Sequence, residues 1–165
     1  MSGIFGVVSK KDCVQTLFYG TDYHSHLGTQ FAGLAVWGRT LNKKIHDISW
    51  SQFKSKFFQE LGTLKGQKGI GVISAQNPQP IYINSKFWPF VICTNGFIEN
   101  VHSLSEELLR DGESFSDSFD GQINTTELVA KLINRGDTIV DGIEKMFSQI
   151  KGSVSLLILT KDGLW

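Results

Sequence analysis

MSGIFGVVS, residues 1–9, opens the chain. From Ile4 to Ser9 it is a short run rich in β-branched residues and punctuated by glycine, which reads as a strand, and Ser2 stands directly behind the initiator methionine. A hydroxyl in that place raises the chemistry of hydrolases whose first mature residue is nucleophile and base together, the side chain attacking while its own α-amine takes the proton. Such a site needs three further things: a free amine at residue 2, donors for an oxyanion, and anchors for the substrate.

Outward from this strand, the pattern alternates. Asp12 reads as the N-cap of a helix with Val14, Leu17 and Phe18 on one face, ending by Gly28. Ala32 to Trp37 and Lys44 to Ile48 read as a hairpin across a turn at Leu41 and Asn42. Ser51 reads as the cap of a helix with Phe53, Phe57 and Leu61 at helical spacing. Strands follow at Gly69 to Ser74, Pro80 to Ile83 and Phe90 to Thr94, the last running into an Asn95-Gly96 turn. Ser103 and Glu106 form a capping box for a helix, the segment from Asp111 to Gln122 is a polar loop, and helices cover Thr125 to Asn134 and Thr138 to Gln149. A strand from Val154 to Leu159 and a Lys161-Asp162-Gly163 turn close the pattern. Strands at both ends with helices between them suit sheets packed between helical layers.

With 165 residues, 41% of them hydrophobic and 12 of them Phe, the chain is long enough for one cored domain over 1–165. Sixteen basic and sixteen acidic residues balance, so no net field favours nucleic acid or an anionic membrane. No stretch has the length of a membrane span or the flank of a signal peptide. Cys13 and Cys93 lack the paired spacing of a zinc or redox site and read as reduced thiols of a cytoplasmic protein. His24, His26, His46 and His102 show no metal-ligand pattern, and no cofactor motif is present.

The opening MSGIFGVVS resembles the M-C-G-I-x-G of class II glutamine amidotransferases, a branch of the N-terminal nucleophile hydrolases. The likeness continues in order: HLGTQFAGLAV at 26–36 is similar to H-R-G-Q-x-x-A-G-I, LKGQKGIGVISAQNPQP to G-I-G-H-x-R-Y and its following Q-P, CTNGFIEN to A-H-N-G-x-I-x-N, and TTELV to D-S-E-x-x. GSVSLLILTKDGLW is similar to the strands that precede D-P-x-G-x-R-P. Within the family the likeness is greatest to the glutaminase half of amidophosphoribosyltransferases. It implies an α+β fold of four layers, αββα, with a glutamine pocket at the sheet edge.

Carried over residue by residue, the likeness implies a degenerate site. Ser2 stands at the nucleophilic Cys; it has a basic amine only if Met1 is removed, and otherwise reads as a polar strand-end residue. The arginine that in relatives holds the substrate α-carboxylate falls at Ser74, and the acid that binds the α-amine falls at Thr125. Charge-assisted bonds are about twice as strong as neutral ones, so both ends of the zwitterion lose their counter-charge. His26 and Gly28 survive from H-R-G, with Leu27 in place of the arginine; a helix end with Gly as its left-handed cap accounts for both. Asn95 and Gly96 stand where relatives form the oxyanion hole. Cys93, on the same strand, reads as a small buried hydrophobe.

The family's strands beyond KDGLW, and the phosphoribosyltransferase domain of the bifunctional enzyme, are not in these 165 residues. The expectation is a fold truncated at its C-terminus: either a piece of a longer protein or a sheet completed by a copy, hence a homodimer or a partner protein. No phosphate-cradling glycine loop marks a phosphoribosyl site. The leading expectation is a non-catalytic binding or regulatory module with a small polar ligand in the remnant glutamine pocket. Its rival is an amidase using Ser2 after Met1 removal.

Overall fold

In a computed structural model, which describes residues 2–28, 30–116, 118–119 and 121–165, the elements run β1 Gly3–Val8, α1 Val14–Asp22, β2 Phe31–Trp37, β3 Leu41–Asp47, α2 Phe53–Phe57, β4 Lys68–Ser74, β5 Ile81–Ile83 and β6 Phe90–Ile98, followed by α3 Val101–Arg110, β7 Ser118–Phe119, β8 Gln122–Ile123, α4 Thr125–Asn134, α5 Ile139–Gln149 and β9 Gly152–Leu159. Strand pairing is antiparallel throughout. One sheet has the order β1-β4-β2-β3, a second β5-β6-β9, and β7-β8 form a short ribbon.

Side chains alternate across a strand, and here both faces of both sheets are apolar. From the first sheet, Ala32, Leu34, Val36 and Ile73 face Leu17 and Phe18 of α1 and Phe53 and Phe57 of α2. Their neighbours Ala35, Ile70 and Val72 point the other way and meet Val91, Cys93 and Leu159 of the second sheet. The opposite face of that sheet, with Phe90, Ile92 and Ile158, packs on Leu104 and Leu108 of α3, Leu128 and Leu132 of α4 and Met146 of α5. Three apolar seams between four layers give the αββα order that the family resemblance implied.

Several local expectations shift. Asp12 does serve the start of α1, its Oδ1 accepting from Val14 N at 3.1 Å, but α1 ends at Asp22 rather than near Gly28. Gly28 is not among the glycines with positive φ, so it is no left-handed cap. The first hairpin turns at residues 38–40, and Leu41 and Asn42 are already in β3, paired with Trp37 and Val36. α2 starts at Phe53 with Gln52 at its cap and yields to a 3-10 turn at Phe58–Glu60, while α3 starts at Val101, two residues before the expected Ser103. Thr138 caps α5 as its position suggests, accepting from Asp141 N at 3.1 Å.

The largest correction concerns Asn95-Gly96. The pair is not a turn: β6 runs through it to Ile98, with Asn95 opposite Ser155 and Gly96 opposite Val154. Gly96 has φ +154°, and a Cβ there would collide with the Ser153 carbonyl. Glycine is therefore required by a strand crossing too close to its neighbour, which explains the dipeptide without a hairpin.

Candidate functional site

β1 and β4 pair with Gly3 opposite Ile73, which sets Ser2 beside Ser74 at one end of the first sheet. β6 brings Asn95 and Gly96 to the same end from the second sheet. α4 brings Thr125 in its first turn, where Asn124 at the cap position accepts from Thr126 N at 2.9 Å. Ser2, Ser74, Asn95, Gly96 and Thr125 thus line one small cavity of about 40 Å³. His26 is not among its lining residues; its exposed ring lies 6.4 Å from that of Tyr23. Thr29, in the same motif, lies outside the described residues, as does Met1, on which the free amine of Ser2 depends.

The Ser2 backbone nitrogen donates to Asn95 Oδ1 at 3.2 Å, and Ser2 Oγ accepts from Ala75 N at 3.4 Å. Ser2 and Asn95, the expected nucleophile and oxyanion positions, are therefore adjacent. The anchor positions are occupied differently. Ser74, 2% exposed, takes three donors on its hydroxyl oxygen: Gln76 N at 3.4 Å, Asn77 N at 3.2 Å and Gln79 Nε2 at 3.3 Å. Thr125 Oγ1 accepts from Asn77 Nδ2 at 3.3 Å. Both anchor positions are thereby bonded to the segment 76–79, Ser74 buried and Thr125 also bordering a wider cleft of about 570 Å³.

Gln79, which the sequence did not single out, is the hub of the site. Its Oε1 accepts from Thr94 N at 2.8 Å and Thr126 Oγ1 at 3.1 Å, and its Nε2 donates to Thr94 O at 3.0 Å as well as to Ser74. Thr94 and Thr126 close the network, their hydroxyl oxygens 2.6 Å apart. One buried carboxamide so joins the end of β4, β6 and α4. Its only sequence signal was the Q-P that follows the G-I-G-H-x-R-Y-like segment.

Among the described residues, no charged side chain lines the cavity. Glu127, next along α4, is buried but engaged elsewhere: its carboxylate accepts from Ser116 N and Oγ at 3.0 Å and lies 3.9 Å from Lys131 Nζ. Cys93 faces the seam between the sheets, and burial pushes its thiol up to about 12. It is no substitute nucleophile, since the thiolate is the reactive form. The cavity as it stands has room for about one water molecule, whereas sites for small ligands run to roughly 300–1,000 Å³.

Comparison with known proteins agrees with the geometry. The family model described as a glutamine amidotransferase domain matches residues 68–164, more than half of the chain. The amidophosphoribosyltransferase of Bacillus subtilis (strain 168) is 28% identical over 175 residues, covering 98% of this chain and 35% of its own length. That of Staphylococcus aureus (strain MRSA252) is 27% identical over 179 residues, covering 99% and 34%. Among solved structures, the allosteric regulatory enzyme of purine biosynthesis superposes with TM-score 0.84 at 25% identity, over 98% of this chain and 36% of that one. The glutamine phosphoribosylpyrophosphate amidotransferase from B. subtilis, complexed with ADP and GMP, gives 0.82 at 26%, over 97% and 35%. The chain spans about a third of the length of the relatives it matches.

Proposed function

From the premise that the chain belongs to the glutamine amidotransferase domain family, we propose that it is an amidophosphoribosyltransferase-like member that has lost glutaminase activity and serves as a non-catalytic binding or regulatory module. The observation that carries this reading is the engagement of Ser74 and Thr125 by Asn77 and Gln79. Where a zwitterionic substrate needs a cation and an anion, this cavity offers two hydroxyls whose oxygens are already bonded. The binding energy that would hold an amide carbonyl against Ser2 is therefore missing, and catalysis depends on that positioning.

A module of this kind acts on a second chain, either a copy of itself or another protein, in work linked to the relatives' purine pathway. A small polar ligand would approach through the cleft of about 570 Å³ that Gly96 and Thr125 also border, and would reach Ser74 only if the segment 76–79 swings out. The test is calorimetric titration with glutamine together with an ammonia-release assay over a panel of amides, on chains with and without Met1. The expected result is no turnover and no dissociation constant below about 1 mM, roughly 4 kcal/mol of binding; tighter binding or turnover overturns the reading. Light scattering at tens of micromolar protein tests the assembly.

One observation favours a second reading. With Ser2 N 3.2 Å from Asn95 Oδ1, removal of Met1 would leave an α-amine, with an ordinary pKa of about 8, beside an oxyanion pair. This contact supports the rival reading, a Ser2-dependent amidase acting on something other than glutamine. Intact mass separates the two, because the amidase requires a chain lacking Met1.

A further inference from the structure

Six cations scattered along the sequence, Lys10, Lys11, Arg39, Lys65, Lys68 and Lys161, converge at the end of the sandwich opposite Ser2. β1 runs from Gly3, beside the site, to Val8, which pairs with Lys68; on the other side of β4, Lys68 pairs with Trp37. Lys10 O accepts from Gln67 Nε2 at 2.9 Å, and Lys68 Nζ donates to Lys161 O. Gly38, before Arg39, lies against the Lys65 carbonyl.

The chain as a whole is neutral, and Lys44, Lys54, Lys131, Arg135 and Lys145 each lie within 4.0 Å of a carboxylate. None of the six does so among the described residues. Asp12 has one oxygen on Val14 N and the other on Gly66 N, and Glu60 is bound to His46 and Lys44. Among the described residues, the carboxylates of Asp12 and of Asp162, in the turn after β9, offset the six cations only in part.

Arg39 and Lys65 also border a cavity of about 520 Å³ with Thr40, Asn42, Thr63 and the backbone of Gly38 and Gly66. Its volume falls in the range of small-ligand sites. Gly38 N and Gly66 N already donate to Thr40 O and Asp12 Oδ2, so the donors the lining offers a ligand are the Arg39 guanidinium, the Lys65 ammonium and the Thr40 hydroxyl, and it holds no aromatic anchor of the kind that dominates protein interfaces. A guanidinium fork, an ammonium and a hydroxyl in one concavity match phosphate oxygens, and cations extending beyond the rim match more than one phosphate. We propose that this end of the sandwich is a binding site for a small molecule carrying two or more linked phosphates. It is independent of the glutaminase-like cavity.

The probe is inorganic tripolyphosphate, followed by calorimetry and by amide chemical shifts at about 50 mM salt, where surface charges are least screened. Shifts should be confined to residues 9–11, 38–42, 63–68 and 160–162, with binding at least about tenfold tighter than for orthophosphate. The double variant Arg39→Ala/Lys65→Ala should weaken binding by about tenfold or more, while Lys54→Ala/Lys56→Ala leaves it within about twofold. All four side chains are exposed, so a thermal melt should show each variant folded. Absence of binding at millimolar probe, shifts centred elsewhere, equal losses in both doubles, or equally tight binding of a polyglutamate peptide would each overturn the assignment.

Discussion

The backbone nitrogen of Ser2 lies 3.2 Å from Oδ1 of Asn95, a contact between residues 93 positions apart and in different sheets. With its oxygen accepting from Ser2, the Asn95 carboxamide has its Nδ2 left as donor, the role an oxyanion hole asks of it. Ser2 and Asn95, the expected nucleophile and oxyanion positions, thus stand together, while Ser74 and Thr125, the expected anchor positions, are bonded to Gln79 and Asn77. That asymmetry separates the predictions below: some probe the bonded anchor positions, others the pair at Ser2 and Asn95.

Gln79→Ala removes a carboxamide that makes four buried hydrogen bonds, to Ser74, Thr126 and twice to Thr94. It leaves Thr94 N and Thr94 O without those partners. We expect a loss of about 3 kcal/mol, read as a lower urea midpoint with unchanged slope. A change under about 0.5 kcal/mol would show that water replaces the side chain without cost and that Gln79 is not the hub.

What the sequence disclosed and what it hid follow from how far the deciding partner lies along the chain. β4 and α4 were legible because alternation and helical spacing are local, and α4 begins at the expected Thr125. The Asn95-Gly96 pair was misread for the same reason: as a dipeptide it signals a turn, but its conformation is set by β9, more than fifty residues on. Gln79 gave no signal beyond the Q-P match, since its partners stand 5, 15 and 47 positions away. His26 matched a motif yet sits outside the cavity, because a motif gives order along the chain and not the path of the loop that carries it.

Gly96 has φ +154° and no room for a Cβ beside the Ser153 carbonyl, whereas Gly112, at φ +86°, faces open space. Gly96→Ala should therefore cost clearly more than Gly112→Ala, about 3 against about 1 kcal/mol. Denaturant melts of the two variants make the comparison. Equal losses would mean that β6 and β9 move apart freely at this crossing.

Burial raises the thiols of Cys13 to about 11 and Cys93 to about 12, from 9.0. Between the ordinary and the raised value, the unfolded chain has released a proton that the folded chain keeps. Stability should then be unaffected by these groups below about pH 8.5 and fall as pH rises through 9 and 10. The variant Cys13→Ala/Cys93→Ala should show a flatter decline of urea midpoint from pH 8 to 10.5. A disulfide reagent at pH 8 should label neither thiol until the protein unfolds; rapid labelling of native Cys93 would contradict its place in the seam.

The last expectation isolates Ser2. In a Ser2→Cys chain freed of Met1, a thiol and an α-amine stand beside Asn95 and Gly96, so nucleophile, base and oxyanion donors are all present. Holding the scissile amide at the sulfur is a separate requirement, worth roughly 7 to 11 kcal/mol of a barrier, and the cavity of about 40 Å³ with Ser74 and Thr125 already bonded does not meet it. This variant should react with a small thiol reagent and release no ammonia from glutamine. Activity should return, if at all, only when Ser74→Arg and Thr125→Asp are added, because a cation and an anion there would displace the segment 76–79 from its two anchors and meet the two ends of the substrate. Robust glutaminase turnover by Ser2→Cys alone would mean that glutamine is held by other groups, and the loss would then lie in the nucleophile and not in the pocket.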